Sequence, residues 1–149
     1  ATTTAPQPAE VAAAVYFVRD ERMAAAARQV APPAVARAAM TELLRGPGEA
    51  EAAAGMSSSI PAGTTLHGLR ILDGVAEVDL SGEFASGGGS LSMLTRVAQV
   101  VYTLTDFPTV RAVRFLIDGE RVDSIGGEGV IVDHPLTRDD FEDQAPATP

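Results

Sequence analysis

Two histidines, His67 and His134, are the only side chains in this 149-residue chain suited to act as a general base or imidazole ligand near neutral pH. A hydrolytic site would need one of them joined to a carboxylate in a concave pocket. They fall in different segments, His67 on a hairpin opposite about Leu80 at a sheet end, and His134 before Pro135 in a loop. Nothing in the spacing brings them together, and each reads as an ordinary surface or edge histidine. The run Ser57-Ser58-Ser59 lacks the Gly-x-Ser-x-Gly elbow that exposes a nucleophile on a strained turn, so it reads as a loop entering a strand. Gly87-Gly88-Gly89-Ser90 precedes a helix, where backbone amides and the helix dipole can hold an anion. A phosphate loop also needs a lysine, and the chain has none, so a flexible connection with Ser90 as helix cap fits better.

The acidic group Asp133, Asp139, Asp140, Glu142 and Asp143 lacks the Asp-x-Asp-x-Asp-Gly loop of a calcium site. It reads as a short solvated terminal helix, with Thr137 and Asp140 at capping-box spacing. Tyr16 and Tyr102 sit within apolar patterns that face a core, and there is no tryptophan to stack on a sugar. No catalytic, cofactor-binding or metal-binding residue is assigned, and no cofactor is expected.

Composition narrows the classes further. The 20 acidic residues against 11 basic ones, all arginine, give a net charge of −9, which argues against a nucleic-acid or anionic-membrane binder. Zero cysteines exclude disulfides, thiolate zinc sites, iron–sulfur clusters and a cysteine nucleophile. Length and a 46% hydrophobic content suit one domain with one core.

The elements that must position these residues follow from periodicity. Val11 to Val18 is a short apolar run rich in β-branched and aromatic residues, a buried strand ended by Arg19-Asp20-Glu21-Arg22. Met23 to Val30 has alanine's helix propensity but is short and ends at Ala31-Pro32-Pro33, which favours a second strand. Ala36, Ala39, Met40, Leu43 and Leu44 define an amphipathic helix closed by Gly46-Pro47-Gly48. Glu49 to Thr65 reads as a long connection. Asp73-Gly74 calls for a two-residue hairpin with Arg70 opposite Glu77, Ile71 opposite Ala76 and Leu69 opposite Val78. After a flexible Ser81 to Ser90 connection, Leu91 to about Thr105 carries an apolar stripe of Leu91, Leu94, Val97, Ala98, Val101 and Leu104. Val110 to Ile117 is a strand, and Asp118-Gly119 turns a second hairpin that sets Arg114 against Asp123 and Phe115 against Val122.

The element order is thus strand, helix, hairpin, helix, hairpin. The expected class is α+β, a small sheet with two helices packed on one face, which split βαβ and ring-building-motif folds both satisfy.

The Thr/Ala/Pro-rich residues 1–10 and the acidic, proline-containing residues 142–149 read as linker and tail around a domain at 11–141. The chain opens without an initiator methionine, so an upstream segment is expected to have been removed. Such a leader follows the signal peptide or lipidated cysteine of exported bacterial proteins, and it also suits an interdomain linker of a longer cytoplasmic protein.

Six segments in order carry a family resemblance: Tyr16-Phe17, Ala38 to Pro47, Ser58 to Thr64, Ala76 to Ser81, Ala98 to Thr105 and Val110 to Gly119. The Ile60-Pro61-Ala62-Gly63-Thr64 loop and the Tyr102-Thr103-Leu104-Thr105 helix end are its most specific parts. Together they resemble the GerMN domain, the sporulation and spore germination domain of exported and lipid-anchored bacterial proteins. The resemblance implies a non-catalytic extracytoplasmic module similar to ring-building motifs, with no catalytic residues to carry over. It makes residues 1–10 a tether behind a removed N-terminal lipid anchor, the sole membrane attachment expected, at the outer face of the cell membrane, with a secreted protein as the alternative. Room for one copy, where sporulation proteins can hold tandem copies, argues against inheriting a germination role. An alanine-rich chain whose bases are all arginine suits a high-GC, actinobacterial source. The expected partner is an envelope protein, met through the Glu49 to Thr65 and Ser81 to Ser90 loops. The alternatives are a peptidoglycan or other envelope-ligand binder and, further off, a hydrolase using His67 or His134.

Overall fold

The computed structural model describes residues 10–126 and 130–146, so most of the expected linker and the last three residues lie outside the described residues. The chain opens with a long hairpin, β1 (Val11–Arg19) and β2 (Arg22–Val30), paired antiparallel from Val11 and Val30 to Arg19 and Arg22. The alanine-rich segment is therefore a strand, and the expected element order lacked this first hairpin. Its two-residue turn places Asp20 and Glu21 at φ 53° and 65°. Both positions of a type I′ turn need positive φ, normally supplied by Asn-Gly or Asp-Gly, so the turn carries no glycine signal.

Helices α1 (Val35–Arg45) and α2 (Glu49–Ala53) follow. α1 buries Ala36, Ala39, Met40 and Leu43, the expected stripe, and ends at Gly46 with φ 89°, where a left-handed residue closes the helix. α2 lies within what reads from sequence as an uninterrupted connection. Next come β3 (Leu66–Leu72) and β4 (Val75–Leu80), joined by Asp73 and Gly74 at φ 53° and 79°. All three expected pairs occur: Arg70 faces Glu77, Ile71 faces Ala76 and Leu69 faces Val78. Leu80 faces Leu66, however, because a register shift between Leu66 and Gly68 leaves His67 as the extra residue of a bulge.

After a 3₁₀ turn at Gly82–Ala85 comes α3 (Ser90–Thr105), then β5 (Ala112–Ile117), β6 (Glu120–Arg121), β7 (Ser124–Ile125) and β8 (Val130–Ile131). A last 3₁₀ segment, Arg138–Gln144, contains the expected capping arrangement, with the Thr137 N–H donating to Asp140 Oδ2 at 2.9 Å. It is not merely solvated, since Phe141 and Gln144 are buried. The α+β class holds, but the strands form three separately bonded ladders: β1-β2, β3-β4-β5-β6 and β7-β8. β4 and β5 run parallel, which sets Arg114 beside Glu77. The β5-β6 register agrees with the expected hairpin but ends after Leu116 with Arg121 and Ile117 with Glu120, so Arg114 does not reach Asp123.

α3 is the central element. It packs on β1, β2, α1, β5 and β8, and is covered on its polar as well as its apolar side. Leu91, placed in the expected stripe, is exposed, whereas Thr95, Arg96, Gln99 and Thr103 are buried beside Val97, Val100, Val101 and Leu104. Each fully buried aliphatic side chain contributes about 1.5–3 kcal/mol, but only if the polar groups buried with it are bonded.

Two of them, Gln99 and Thr103, are bonded to the edge of β1. Arg19 and Arg22 close a two-residue turn as a hydrogen-bonded pair, so alternation turns the Tyr16 and Val18 backbone groups away from β2. Val18 exchanges hydrogen bonds with Ser57 at 2.7 and 2.8 Å. The Tyr16 N–H donates to Thr103 Oγ1 at 3.0 Å, and Gln99 Nε2 donates to the Tyr16 carbonyl at 3.1 Å. Thr103→Val keeps the side-chain shape and removes the acceptor, and is expected to cost about 1–3 kcal/mol in urea denaturation. Thr103→Ser, which keeps the hydroxyl, is expected to cost less, and equal losses would assign the effect to packing alone.

Candidate functional site

His67 and His134 each meet a carboxylate. The bulge turns His67 so that Nε2 lies 3.1 Å from Asp118 Oδ1, and the same oxygen accepts the Gly82 N–H at 3.2 Å. Asp118 is the first turn residue of the β5-β6 hairpin, so the contact ties that turn to the bulge in β3. The two side chains are 45% and 63% exposed, in an open depression with Ser81 and Ser86 nearby. Neither hydroxyl bonds the imidazole: Ser81 Oγ accepts the Thr65 N–H at 2.9 Å, and Ser86 Oγ donates to the Glu83 carbonyl at 2.8 Å. His134 Nδ1 lies 2.8 Å from Asp133 Oδ1, with Asp140 4.0 Å from Nε2. Among the described residues, no group of three or more His, Asp or Glu side chains converges as a metal site would require.

The other sequence candidates hold the fold. Ser58 Oγ accepts from Gln99 Nε2 at 3.2 Å, Ser59 Oγ accepts from Thr95 Oγ1 at 2.7 Å, and the Ser59 N–H donates to Gln99 Oε1 at 2.8 Å. The serine run is thus strapped to α3. The glycine segment is also pinned, contrary to the flexible connection expected. Buried Arg96 donates to the carbonyls of Phe84, Ser86 and Gly87 at 2.8–3.0 Å, and to Ser92 Oγ at 2.8 Å. Gly88 packs so closely, at φ 79°, that a Cβ would come within 2.8 Å of Arg96 and Ser92. The α3 cap is Gly89, without a side-chain cap bond, so Ser90 is the first helical residue and not the cap. Burial lowers the Arg96 pKa, and among the described residues its guanidinium bonds carbonyls and a hydroxyl.

Tyr16 and Tyr102 face the core as expected, with ring centroids 5.3 Å apart. Arg138 lies over both rings at 5.4 and 4.6 Å and donates to Thr105 Oγ1 and the Tyr102 carbonyl at 2.9 Å. Burial raises both phenol pKa values, and Asp106, which accepts from the Tyr16 hydroxyl at 3.3 Å, adds to the shift at Tyr16.

Two charged clusters extend beyond what hairpin arithmetic supplies, which is the Arg70 and Glu77 pair alone. Arg28 on β2 grips Glu51 of α2, its Nη2 2.6 Å from Oε1, with Glu42 of α1 3.5 Å from Nε. This pair ties the expected contact loop to the first hairpin. On the outer face of the four-stranded sheet, Glu77 lies 3.0 Å from Arg70 and 4.0 Å from Arg121, beside Arg114 in the parallel register. Arg111 donates to the Asp73 carbonyl at 3.1 Å, and a groove of about 240 Å³ runs between Arg70, Arg111 and Arg114. Only the parallel pairing of β4 with β5 assembles this row, and a hairpin register cannot reveal it.

The model of the Germane family, described as sporulation and spore germination, matches residues 14–123. The chain belongs to this family. Solved structures with the same fold include a candidate lipoprotein from Clostridium perfringens, 21% identical over 93% of this chain and 95% of that one, with TM-score 0.65. The tandem GerMN domains of the sporulation protein GerM from Bacillus subtilis are 23% identical, with TM-score 0.70 over 88% of this chain. This chain covers 47% of that pair, about half its length. The first GerMN domain alone is 24% identical over 87% of this chain and 98% of that one, with TM-score 0.66. No curated protein matches. The Germane match takes in His67, Asp118, the arginine row and the α3 contacts, while His134 and Arg138 lie beyond it.

Hydrogen bonds from Arg28, then from the Gly48 N–H, lower the Glu51 pKa from 4.5 to about 2. A depressed carboxyl stabilises the fold above its unfolded pKa, and that contribution fades as pH falls toward the folded value. Glu51→Gln is therefore expected to be less stable than wild type at pH 6, the gap closing between about 4.5 and about 2 when chemical denaturation is followed against pH. Because exposed ion pairs contribute about 0–1 kcal/mol, His67→Ala is expected to leave stability nearly unchanged in the same assay.

Proposed function

We propose that this Germane domain is a non-catalytic extracytoplasmic module of the cell envelope, lipid-anchored through residues 1–10 and acting by contact with another envelope protein. One observation carries the reading. Ser58 and Ser59, from the serine run that the sequence offers for a nucleophile, are bonded within the fold, as are Thr95, Arg96, Gln99 and Arg138, and the histidine pairs stand exposed with no bonded nucleophile among the described residues. A site that activates a nucleophile needs the base within hydrogen-bond reach of it. The name of the Clostridium perfringens neighbour supports the anchored location, and among the described residues no helix is long and apolar enough to cross a membrane.

The His67 and Asp118 contact is the observation that favours a hydrolase instead. In-cell cross-linking of the full-length protein separates the readings. Recovery of an envelope partner is expected, unchanged in the His67→Ala, His134→Ala double variant, and the protein is expected to stay in solution with sedimenting peptidoglycan. Activity on an ester or glycan panel that disappears with His67→Ala would overturn the non-catalytic reading.

A further inference from the structure

Resting on the interaction-module reading, we propose that the open edge of β3 docks an extended peptide segment of the partner protein, one in which acidic side chains alternate with apolar ones. The segment adds as a further strand beside β3.

The backbone supplies the first reason. Leu72 and Val75 close a two-residue turn as a hydrogen-bonded pair, so alternation turns the N–H and C=O groups of Leu69 and Ile71 away from β4. The same geometry on β1 turned out Tyr16 and Val18, which Thr103, Gln99 and Ser57 satisfy. Among the described residues no hydrogen bond reaches the outward groups of Leu69 and Ile71, and β3 ends the strand order of its sheet. An unpaired edge of this kind is a template for a further strand.

The two faces of that edge make opposite demands. Leu69 and Ile71 share the inner face and border an apolar groove of about 380 Å³ formed with Pro33, Val35 and Phe107. Arg70 points to the outer face, beside the groove it shares with Arg111 and Arg114, whose lining also holds Asp73 and Glu77, so three arginines outnumber two carboxylates. Side chains of an added strand alternate between these faces, so apolar residues enter one groove and carboxylates meet the arginines of the other. Arg70 is 72% exposed, and among the described residues Glu77 alone is bonded to it. A second copy pairing through β3 would instead bring Arg70 toward Arg70, which like-charge repulsion disfavours. A phosphate polymer offers neither backbone partners for Leu69 and Ile71 nor apolar groups for the inner groove.

Fluorescence anisotropy of the intact chain with a labelled hexapeptide of alternating glutamate and valine tests the site. In the antiparallel register the valines lie opposite Leu69 and Ile71, so their amides bond the edge. N-methylation of the valines, Arg70→Glu and a block peptide of the same composition are each expected to weaken binding by about tenfold or more, whereas N-methylation of the glutamates leaves it. No binding at millimolar probe, equal effects of the two methylations, or inorganic polyphosphate displacing a probe that is indifferent to methylation would overturn the proposal. If the probe fails while Arg70→Glu still cross-links its envelope partner, the β3 site falls and the interaction-module reading stands.

Discussion

The fold depends on a strand edge being closed by a helix. A hairpin leaves every second residue with backbone groups facing outward, and buried groups of this kind must be bonded. At Tyr16 these bonds come from Thr103 and Gln99 on α3, one turn apart, which pin the helix at a fixed height along β1. Gln99 uses its amide further, accepting from the Ser59 N–H and donating to Ser58 Oγ. One glutamine thus joins the first hairpin, the central helix and the Ser57-Ser58-Ser59 segment. Because α3 must face β1 with its polar side and the four-stranded sheet with other residues, it is buried on both sides.

Arginines extend the same economy to the ends of α3. Arg96 gathers the carbonyls of the Phe84 to Gly87 segment, which would otherwise be left without donors close to the core. Arg138 covers the facing rings of Tyr16 and Tyr102 and bonds the last turn of the helix. Carbonyls and hydroxyls accept most of these bonds, and Arg138 also donates to Asp106 Oδ1 at 3.3 Å. The interior is committed to holding its elements together, so the proposed recognition falls to the surfaces of the sheets.

How much of this was legible in the sequence follows from what each signal measures. Asp73-Gly74 fixes a turn type, and the turn fixes a register, so the Arg70 and Glu77 pair could be read directly. Asp20-Glu21 makes the same turn without a glycine, and the first hairpin was correspondingly hard to place in the element order. Periodicity located α3 but ranked its faces by hydropathy, which cannot show that Thr95, Gln99 and Thr103 are buried against a strand edge. The parallel contact of β4 with β5 is nonlocal, so a hairpin register pairs Arg114 with Asp123 whereas the fold sets it beside Glu77. The family, in contrast, was legible from ordered short segments, since its match spans residues 14–123. His67 lay one residue off its expected register because a bulge leaves no mark in an alternating pattern.

Native-state hydrogen exchange at individual amides tests the central claim most directly, because it compares two edges within one molecule. With the edge of β1 closed by α3 at Tyr16 and by Ser57 at Val18, and the edge of β3 open, the Tyr16 and Val18 amides should exchange only with global unfolding. The Leu69 and Ile71 amides should exchange far faster. Comparable rates at the two edges, or a Tyr16 amide as labile as that of Ile71, would contradict the account.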